Sequence, residues 1–327
     1  MKNVFTTLAA LALIAASTSA NAQTSLDSYP SKPVRLVIGF APGGVSDIIG
    51  RALAAALAEP LGQAVIVDNR PGANGTIGAA AVATAPPDGY TLLLPSLSTV
   101  AISPNFLARV PYDPLGDFTP IGGIATTPNI LVANATLPIR SLTELIAFGK
   151  GEGKGKLAYA SSGTGSTGHL SGEVLRMATG VDMTHVTYKS SALAFPDVIA
   201  GRVSMVFDSL PSTLSYIRNG NLRPIALMAD RRSALLPDVP TFAESGFPSA
   251  TLLFWVGIDG PPGVPDAIVQ KLNAALRQVL ATPGLRERLA GLGAETMPLT
   301  PQAFADLRRR DVARVKKVIQ DAGIKPE

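Results

Sequence analysis

Residue types that carry specialised chemistry are scarce in this chain. There is no cysteine, which excludes disulfides, thiolate metal sites and lipid attachment through an N-terminal cysteine. There are two histidines, and no spacing of histidine with aspartate or glutamate predicts a metal site. We therefore expect neither a metal nor a cofactor.

A membrane-spanning run is also missing after the first residues. The apolar stretch from Val4 to Ala16 follows Lys2 and precedes the small-x-small sequence Ala20-Asn21-Ala22. That order is typical of a secretory signal peptide. We expect residues 1–22 to be removed by cleavage after Ala22, leaving a mature, exported protein in the periplasm.

Neither sign of charge dominates. The chain has 28 lysines and arginines against 24 aspartates and glutamates, a formal net charge of +4. This excess is compatible with an acidic ligand but is too small to predict a nucleic-acid partner. One basic run near the C-terminus is expected to coat the solvated face of the last helix; it comprises Arg308, Arg309, Arg310, Arg314, Lys316 and Lys317.

One stretch organises the rest of the chain. Val34 to Phe40 is apolar and rich in β-branched residues, as in a strand buried on both faces. Gly43 and Gly44 allow a sharp turn. Ile49, Leu53 and Leu57 then recur at helical spacing. The predicted unit is strand, glycine loop, helix.

The same unit returns later in the chain. Residues 157–161 are a predicted strand, Ser162 to Gly168 a glycine loop, and residues 169–177 a helix. Short strands alternate with helices around both units, which predicts parallel sheets with right-handed crossovers. A chain of this length exceeds one small core, so we expect an α/β protein of two lobes.

The lobe boundaries follow from two segments that would cross between the lobes. The first is expected at 117–130 and the return at 221–229. They predict a discontinuous first lobe, 23–123 with 225–327, and a second lobe, 124–224.

Each glycine loop opens a helix, whose first N–H groups and positive dipole end favour an anion. We interpret the loop at 162–168, with its hydroxyls, as an anion site or a plain turn. Gly163-x-Gly165-x-x-Gly168 formally matches the dinucleotide fingerprint, but the next strand ends without the acid that holds a ribose. The first loop is not a Walker A sequence, because no Gly-Lys-Ser/Thr follows it.

Other candidates have structural alternatives. Ser166 near His169 suggests nucleophilic catalysis, but Thr164 occupies the first glycine position of a nucleophile elbow. Asp47 is either a ligand contact or an acid that complements the helix dipole. Asp208 ends a strand at the edge where ligands gather. Trp255 is expected in the core rather than as a ligand platform.

Long motifs in order carry a resemblance to a known family. They include FAPGGVSD, DNRPGANGTIG, PPDGYTLL, YASSGTGSTGHL, HVTYK, MVFDSLPS and LPDVPTFAESG. Over nearly all of the mature chain the sequence resembles the Bug-type solute-binding proteins of tripartite tricarboxylate transporters. The resemblance implies a type II periplasmic-binding-protein fold, with two α/β lobes joined by crossing strands around a ligand cleft.

The resemblance also implies a small carboxylate ligand, delivery to membrane permease subunits and no enzymatic activity. We expect a monomer. The expected ligand contacts are Phe40, Ala41, Gly43, Gly44, Ser46, Asp47, Ala73, Asn74, Gly75, Thr76, Ser98, Ser161, Ser162, Gly163, Thr164, Gly165, Ser166, His169, Tyr188, Ser190, Ser191, Ala192 and Asp208.

One departure leaves the ligand open. The family pattern Y-K/R-G-x-x-P-A corresponds here to residues 188–194, where Ser190 replaces the glycine and Leu193 the proline. These side chains would reshape the cleft wall. An exported hydrolase using Ser166 or Asp208, and a sensor subunit of a signalling system, are the alternatives to a transport receptor.

Overall fold

The computed structural model describes residues 28–248 and 252–321, so the predicted signal peptide lies outside the described residues. The strands are β1 Val34–Ile38, β2 Val65–Asn69, β3 Thr91–Leu93, β4 Thr119–Asn134, β5 Ala158–Ser161, β6 Thr184–Thr187, β7 Met205–Ser209, β8 Leu222–Met228, β9 Leu253–Gly260 and β10 Glu295–Thr296. The helices are α1 Val45–Leu61, α2 Thr76–Ala83, α3 Ser103–Phe106, α4 Leu142–Lys150, α5 Thr167–Thr179, α6 Ser191–Ile199, α7 Leu210–Arg218, α8 Asp266–Ala281, α9 Pro283–Gly291 and α10 Pro301–Asp321.

The strand, glycine loop and helix predicted at the start of the chain are present. β1 is almost entirely buried, and Ile49, Leu53 and Leu57 of α1 pack into the same core. α1 ends where Gly62 adopts a left-handed conformation and its N–H bonds to the carbonyl of Glu59, as helix C-caps commonly do. β1 runs parallel to both β2 and β3, as the alternation of strands and helices predicts.

The long strand β4 joins the two halves of the sheet. Its first part, 119–128, pairs antiparallel with β9, which in turn pairs with β3. Its second part, 129–134, pairs antiparallel with both β7 and β8. β5 then lies parallel to β6 and β7. The first crossing is therefore one strand that belongs to both halves.

The return crossing lies later than the sequence suggests. The segment expected to cross, 221–229, is mostly β8, which stays beside the second part of β4. The chain reaches the first half only after β8, because β9 is the next strand that pairs with 119–128. The sequence pattern of this segment carries no information about the strand with which it pairs.

Apolar residues fill both faces of each half of the sheet. One core lies between β1, β3, β9 and helices α1 and α8, and another lies between the second part of β4, β7 and helices α6 and α7. A third core joins the second half to residues 97–106, which include α3, and to α10. Residues 97–106 and α10 thus pack against the junction of the two halves.

Two buried polar contacts join β9 to the last helix, α10. Trp255 is in the core, as expected, and its Nε1 donates to Oδ2 of Asp311 at 2.7 Å. Arg308 does not coat a solvated face: it is 1% exposed, pairs with Asp259 at 3.2 Å and donates to the carbonyl of Pro114. The prediction for the basic run was wrong at Arg308, because a buried acid on β9 faces that position.

In the described ranges, no helix combines the length and the apolarity needed to cross a bilayer.

Candidate functional site

A small cavity of about 40 Å³ lies between the two halves of the sheet. Several expected contacts line it: Phe40, Ala41, Gly44, Ser46, Ser98, Ser162, Ser190, Ser191 and Asp208. Sequence reasoning missed other lining residues: Val45, Asn129, Thr167, Gly168, Ser209 and Phe254. Val45, Thr167 and Ser209 directly follow expected contacts and Gly168 directly precedes one, so including the neighbours of each motif would have found them. Asn129 and Phe254 lie on the crossing strands, and no local signal marks them.

Four helices begin at this cavity. The N-caps of α1, α5, α6 and α7 are Gly44, Ser166, Ser190 and Ser209. Three of these caps line the cavity, and for α5 the next residue, Thr167, does so. The first N–H groups of a helix have no intrahelical acceptor and carry partial positive charge. The residues that line the cavity include no lysine, arginine or histidine. The groups that attract an anion there are therefore backbone N–H groups and helix dipoles rather than basic side chains.

α5 approaches the cavity closely because of one glycine. A Cβ on Gly168 would lie 2.4 Å from the carbonyl oxygen of Phe207 on β7, a distance that no side chain tolerates. The missing side chain lets the first turn of α5 rest on β7, the strand that carries Asp208.

Asp47 supports the first glycine loop from behind. Its carboxylate accepts hydrogen bonds from the N–H of Gly43 at 3.0 Å, from Nε of Arg51 at 2.9 Å and from Nδ2 of Asn69 at 3.0 Å. Burial raises the pKa of Asp47, but these hydrogen bonds outweigh burial and hold the pKa below its ordinary value. Gly43 and Asp47 do not line the cavity, so the structure places them behind the loop.

Ser166 and His169 cap α5 instead of forming a catalytic pair. Oγ of Ser166 accepts the backbone N–H of His169 at 3.1 Å, and Nδ1 of His169 accepts the N–H of Gly165 at 3.2 Å. The ring of His169 stacks on His185, with centroids 4.0 Å apart. Burial lowers the pKa of His169 to about 4, so the imidazole is neutral near pH 7. A serine that caps a helix is not activated as a nucleophile by this histidine.

Asp208 is placed differently from Asp47. Its Oδ1 accepts the N–H of Ser209 at 2.8 Å, while Oδ2 is enclosed and has no hydrogen-bond partner in the described part of the chain. Burial raises the pKa of Asp208 to about 6, although the hydroxyls of Ser191 and Ser212 and the Ser209 N–H act in the opposite direction. Asp208 therefore brings to the cavity wall a carboxyl whose Oδ1 is held by Ser209 and whose Oδ2 is available to accept a hydrogen bond.

Polar contacts join the two halves across the cavity. Oγ of Ser98 lies 3.0 Å from Oγ1 of Thr167, and Oγ of Ser103 donates to the carbonyl of Gly165 at 3.2 Å. Nδ2 of Asn74 donates to the carbonyl of Thr164. The structure is thus a closed arrangement, in agreement with the small cavity volume.

A larger pocket of about 760 Å³ adjoins the cavity and shares Phe40, Ala41 and Ser162 with it. Ala73, Asn74, Gly163, Thr164 and Tyr188 line this larger pocket. The two departures from the family pattern separate here: Leu193 lines the larger pocket and is exposed, whereas Ser190 lines the cavity.

The remaining expected contacts support the loops rather than line either space. Gly75 packs closely against Gly39, because a Cβ built on Gly39 would lie 2.4 Å from the Cα of Gly75. Ser161 pairs with Nε2 of His185 at 2.7 Å. The expected residues outside both the cavity and the larger pocket are Gly43, Asp47, Gly75, Thr76, Ser161, Gly165, Ser166, His169 and Ala192.

In the described ranges, no group of three or more histidine, aspartate or glutamate side chains could hold a metal ion. The cavity offers amide N–H groups, hydroxyls and one acid, a set suited to reversible binding of a small polar molecule.

Comparisons with known proteins agree with this geometry. The family model described as "Tripartite tricarboxylate transporter family receptor" matches residues 49–324. Protein BugT of Bordetella pertussis is 35% identical over 324 residues, covering 99% of each chain.

Solved structures match both fold and length. The periplasmic binding protein BugD has a TM-score of 0.87 at 33% identity, covering 91% of this chain and 100% of that chain. Rpa4515 of R. palustris, solved with adipate, has a TM-score of 0.89 at 36% identity, with 91% and 100% covered. MatC of Rhodopseudomonas palustris, solved with malate, has a TM-score of 0.84 at 32% identity, with 89% and 100% covered.

These findings confirm the predicted two-lobed periplasmic-binding-protein fold, and the relatives are solute-binding proteins rather than enzymes. The chain belongs to the receptor family of the tripartite tricarboxylate transporters, which includes the Bug proteins.

Proposed function

We propose that this receptor captures a small organic acid in the cavity between its lobes and delivers it to the permease subunits of a tripartite tricarboxylate transporter. The observation that carries the proposal is the meeting of four helix N-termini at a cavity whose lining has no basic side chain. Such N-termini bind carboxylates through N–H groups and aligned dipoles. Two similar receptors are solved with the carboxylates adipate and malate, which supports the same ligand class here.

The lobes would move about the crossing segments. We propose that they divide within β4 near Pro128, where its partner changes from β9 to β7 and β8, and again between β8 and β9. The first division lies close to the expected boundary at 123/124 and the second follows the expected 224/225. Hinge closure around a ligand is common in two-lobed binding proteins.

The export and partner expectations complete the proposal. Removal of residues 1–22 would release the receptor into the periplasm, where BugD also acts as a binding protein. The receptor would act as a monomer, and the closed form would dock on the permease.

A thermal-shift panel tests the ligand class. The mature protein is melted with dicarboxylates, tricarboxylates, aromatic acids and acidic amino acids, each beside its neutral amide. A ligand at 100 times its Kd stabilises the folded state by about 2.7 kcal/mol, which raises the Tm by several degrees in a chain of this size. We expect a shift with an acid but not with its amide. Shifts with amides alone would contradict the proposal.

A proline substitution tests the helix terminus directly. Val45 is the first residue of α1 and lines the cavity. Proline is tolerated at this position, and the extended backbone of Gly44, with ψ of 167°, suits a following proline. Val45→Pro removes one N–H from the site, whereas Val45→Ala removes the side chain and keeps it. We expect Val45→Pro to weaken acid binding about tenfold or more and Val45→Ala to have a much smaller effect; equal effects would argue against the helix terminus as the anion site.

A further inference from the structure

Asp208 is the single ionisable side chain among the residues that line the cavity. It sits on β7, at the point where the strand leads into α7. Its Oδ1 is held by the N–H of Ser209 at 2.8 Å. Its Oδ2 is enclosed and without a hydrogen-bond partner in the described ranges. An enclosed carboxylate oxygen without a donor is unfavourable, so it is expected to have a role.

The surroundings of Asp208 are neutral. The groups that act on its carboxyl are the hydroxyls of Ser191 and Ser212 and the N–H of Ser209, and the other lining residues are neutral. Burial raises the pKa of this carboxyl to about 6, so it is an anion at neutral pH. A bare ligand carboxylate beside it would be repelled, whereas a hydrogen-bond donor on the ligand would be attracted.

We propose that Oδ2 of Asp208 accepts a hydrogen bond from a hydroxyl or ammonium group of the ligand, so that the receptor selects acids that carry such a donor near the carboxylate. The inference rests on the proposed function, because the ligand carboxylate must occupy the helix N-termini of the same cavity. Since the helix N-termini and Asp208 border the same cavity, the carboxylate and the donor must lie close together in one molecule. Hydroxy acids and amino acids meet this requirement, and unsubstituted mono- and dicarboxylates do not.

Matched pairs of acids test the selection. Isothermal calorimetry compares malate with succinate, aspartate with succinate, lactate with propionate and mandelate with phenylacetate. We expect the donor-bearing acid to bind at least about tenfold more tightly in one pair or more, because its partner leaves Oδ2 buried and unpaired. The malate and aspartate comparisons separate a hydroxyl donor from an ammonium donor.

Asp208→Asn tests the residue. The Ser209 N–H keeps the amide oxygen in the Oδ1 position, so Nδ2 takes the place of Oδ2 and offers a donor instead of an acceptor. We expect the preference for the donor-bearing acid to fall to about threefold or less in this variant. Asp182→Asn makes the same chemical change at an exposed residue of the second half and should keep the full preference. Melting curves of each variant confirm that it is folded.

The outcomes distinguish the two proposals. Acids that bind without preference for a donor, or a preference that survives Asp208→Asn, would overturn the role of Asp208 and leave the receptor function intact. No binding by any acid of the panel at millimolar concentration, in the wild-type protein or in either variant, would contradict the carboxylate function and this inference together.

Discussion

Burial of the Asp208 carboxyl predicts that the stability of the folded protein depends on pH. Folding raises the pKa of Asp208 from 3.8 to about 6 because the carboxyl is buried. Between these two values the folded protein holds a proton that the unfolded chain releases, so the free energy of unfolding falls as the pH rises. Above pH 6 the full difference of about two pKa units applies, which corresponds to about 3 kcal/mol.

Asp208→Asn removes this ionisation and keeps the shape of the side chain. We expect the ligand-free variant to match the wild-type protein near pH 4 and to be more stable by about 3 kcal/mol near pH 7.5. Other buried acids, such as Asp259, whose pKa burial raises to about 6, are present in both proteins and cancel in the difference.

Urea unfolding at several pH values between 4 and 8 measures this difference. Both proteins are first unfolded, dialysed and refolded so that no carried ligand stabilises the wild-type protein. A difference that stays constant with pH, or that favours the wild-type protein at neutral pH, would refute the argument that burial destabilises the ionised carboxyl of Asp208.

Two further substitutions test the closed form and the C-terminal packing. Asn74 has a left-handed backbone, φ 52°, which aspartate also tolerates, but Asn74→Asp removes the side-chain donor that bridges the cleft to the carbonyl of Thr164. We expect severalfold weaker acid binding and a larger radius of gyration by X-ray scattering. No change in either quantity would show that this hydrogen bond does not stabilise closure. Asp311→Leu leaves the buried Nε1 of Trp255 without its acceptor and should lower the free energy of unfolding by about 1–3 kcal/mol. Urea unfolding followed by the fluorescence of the single tryptophan measures this loss. Asp311→Asn retains an oxygen and should lower the free energy of unfolding clearly less, and equal losses would contradict the hydrogen bond as the cause.

Features that depend on neighbouring residues in the chain could be predicted from the sequence. β1, its glycine loop and α1 follow from β-branched residues, a glycine pair and apolar residues at helical spacing. The second unit, β5 to α5, follows from the same signals. Because buried strands and amphipathic helices are encoded over a few residues, their positions were predicted to within a few residues. The family resemblance, carried by motifs over nearly the whole chain, identified the two-lobed fold that the comparisons confirm.

Features that depend on distant residues could not be predicted in this way. Asn129 and Phe254 reach the cavity because β4 and β9 cross between the halves. For Asp47 the sequence left open a ligand contact or an acid that complements the helix dipole, and it gave no sign that Asn69 of β2 would hydrogen-bond to its carboxylate.

The meeting of helix termini has the same origin. The sequence predicted two of them, at α1 and α5, from their glycine loops. The N-terminus of α7 joins them because β7 places Asp208 and Ser209 beside the start of α5, and that of α6 because β6, which precedes it, pairs with β5. Local propensity therefore determined which segments begin a helix, and strand order determined which of those beginnings face one another.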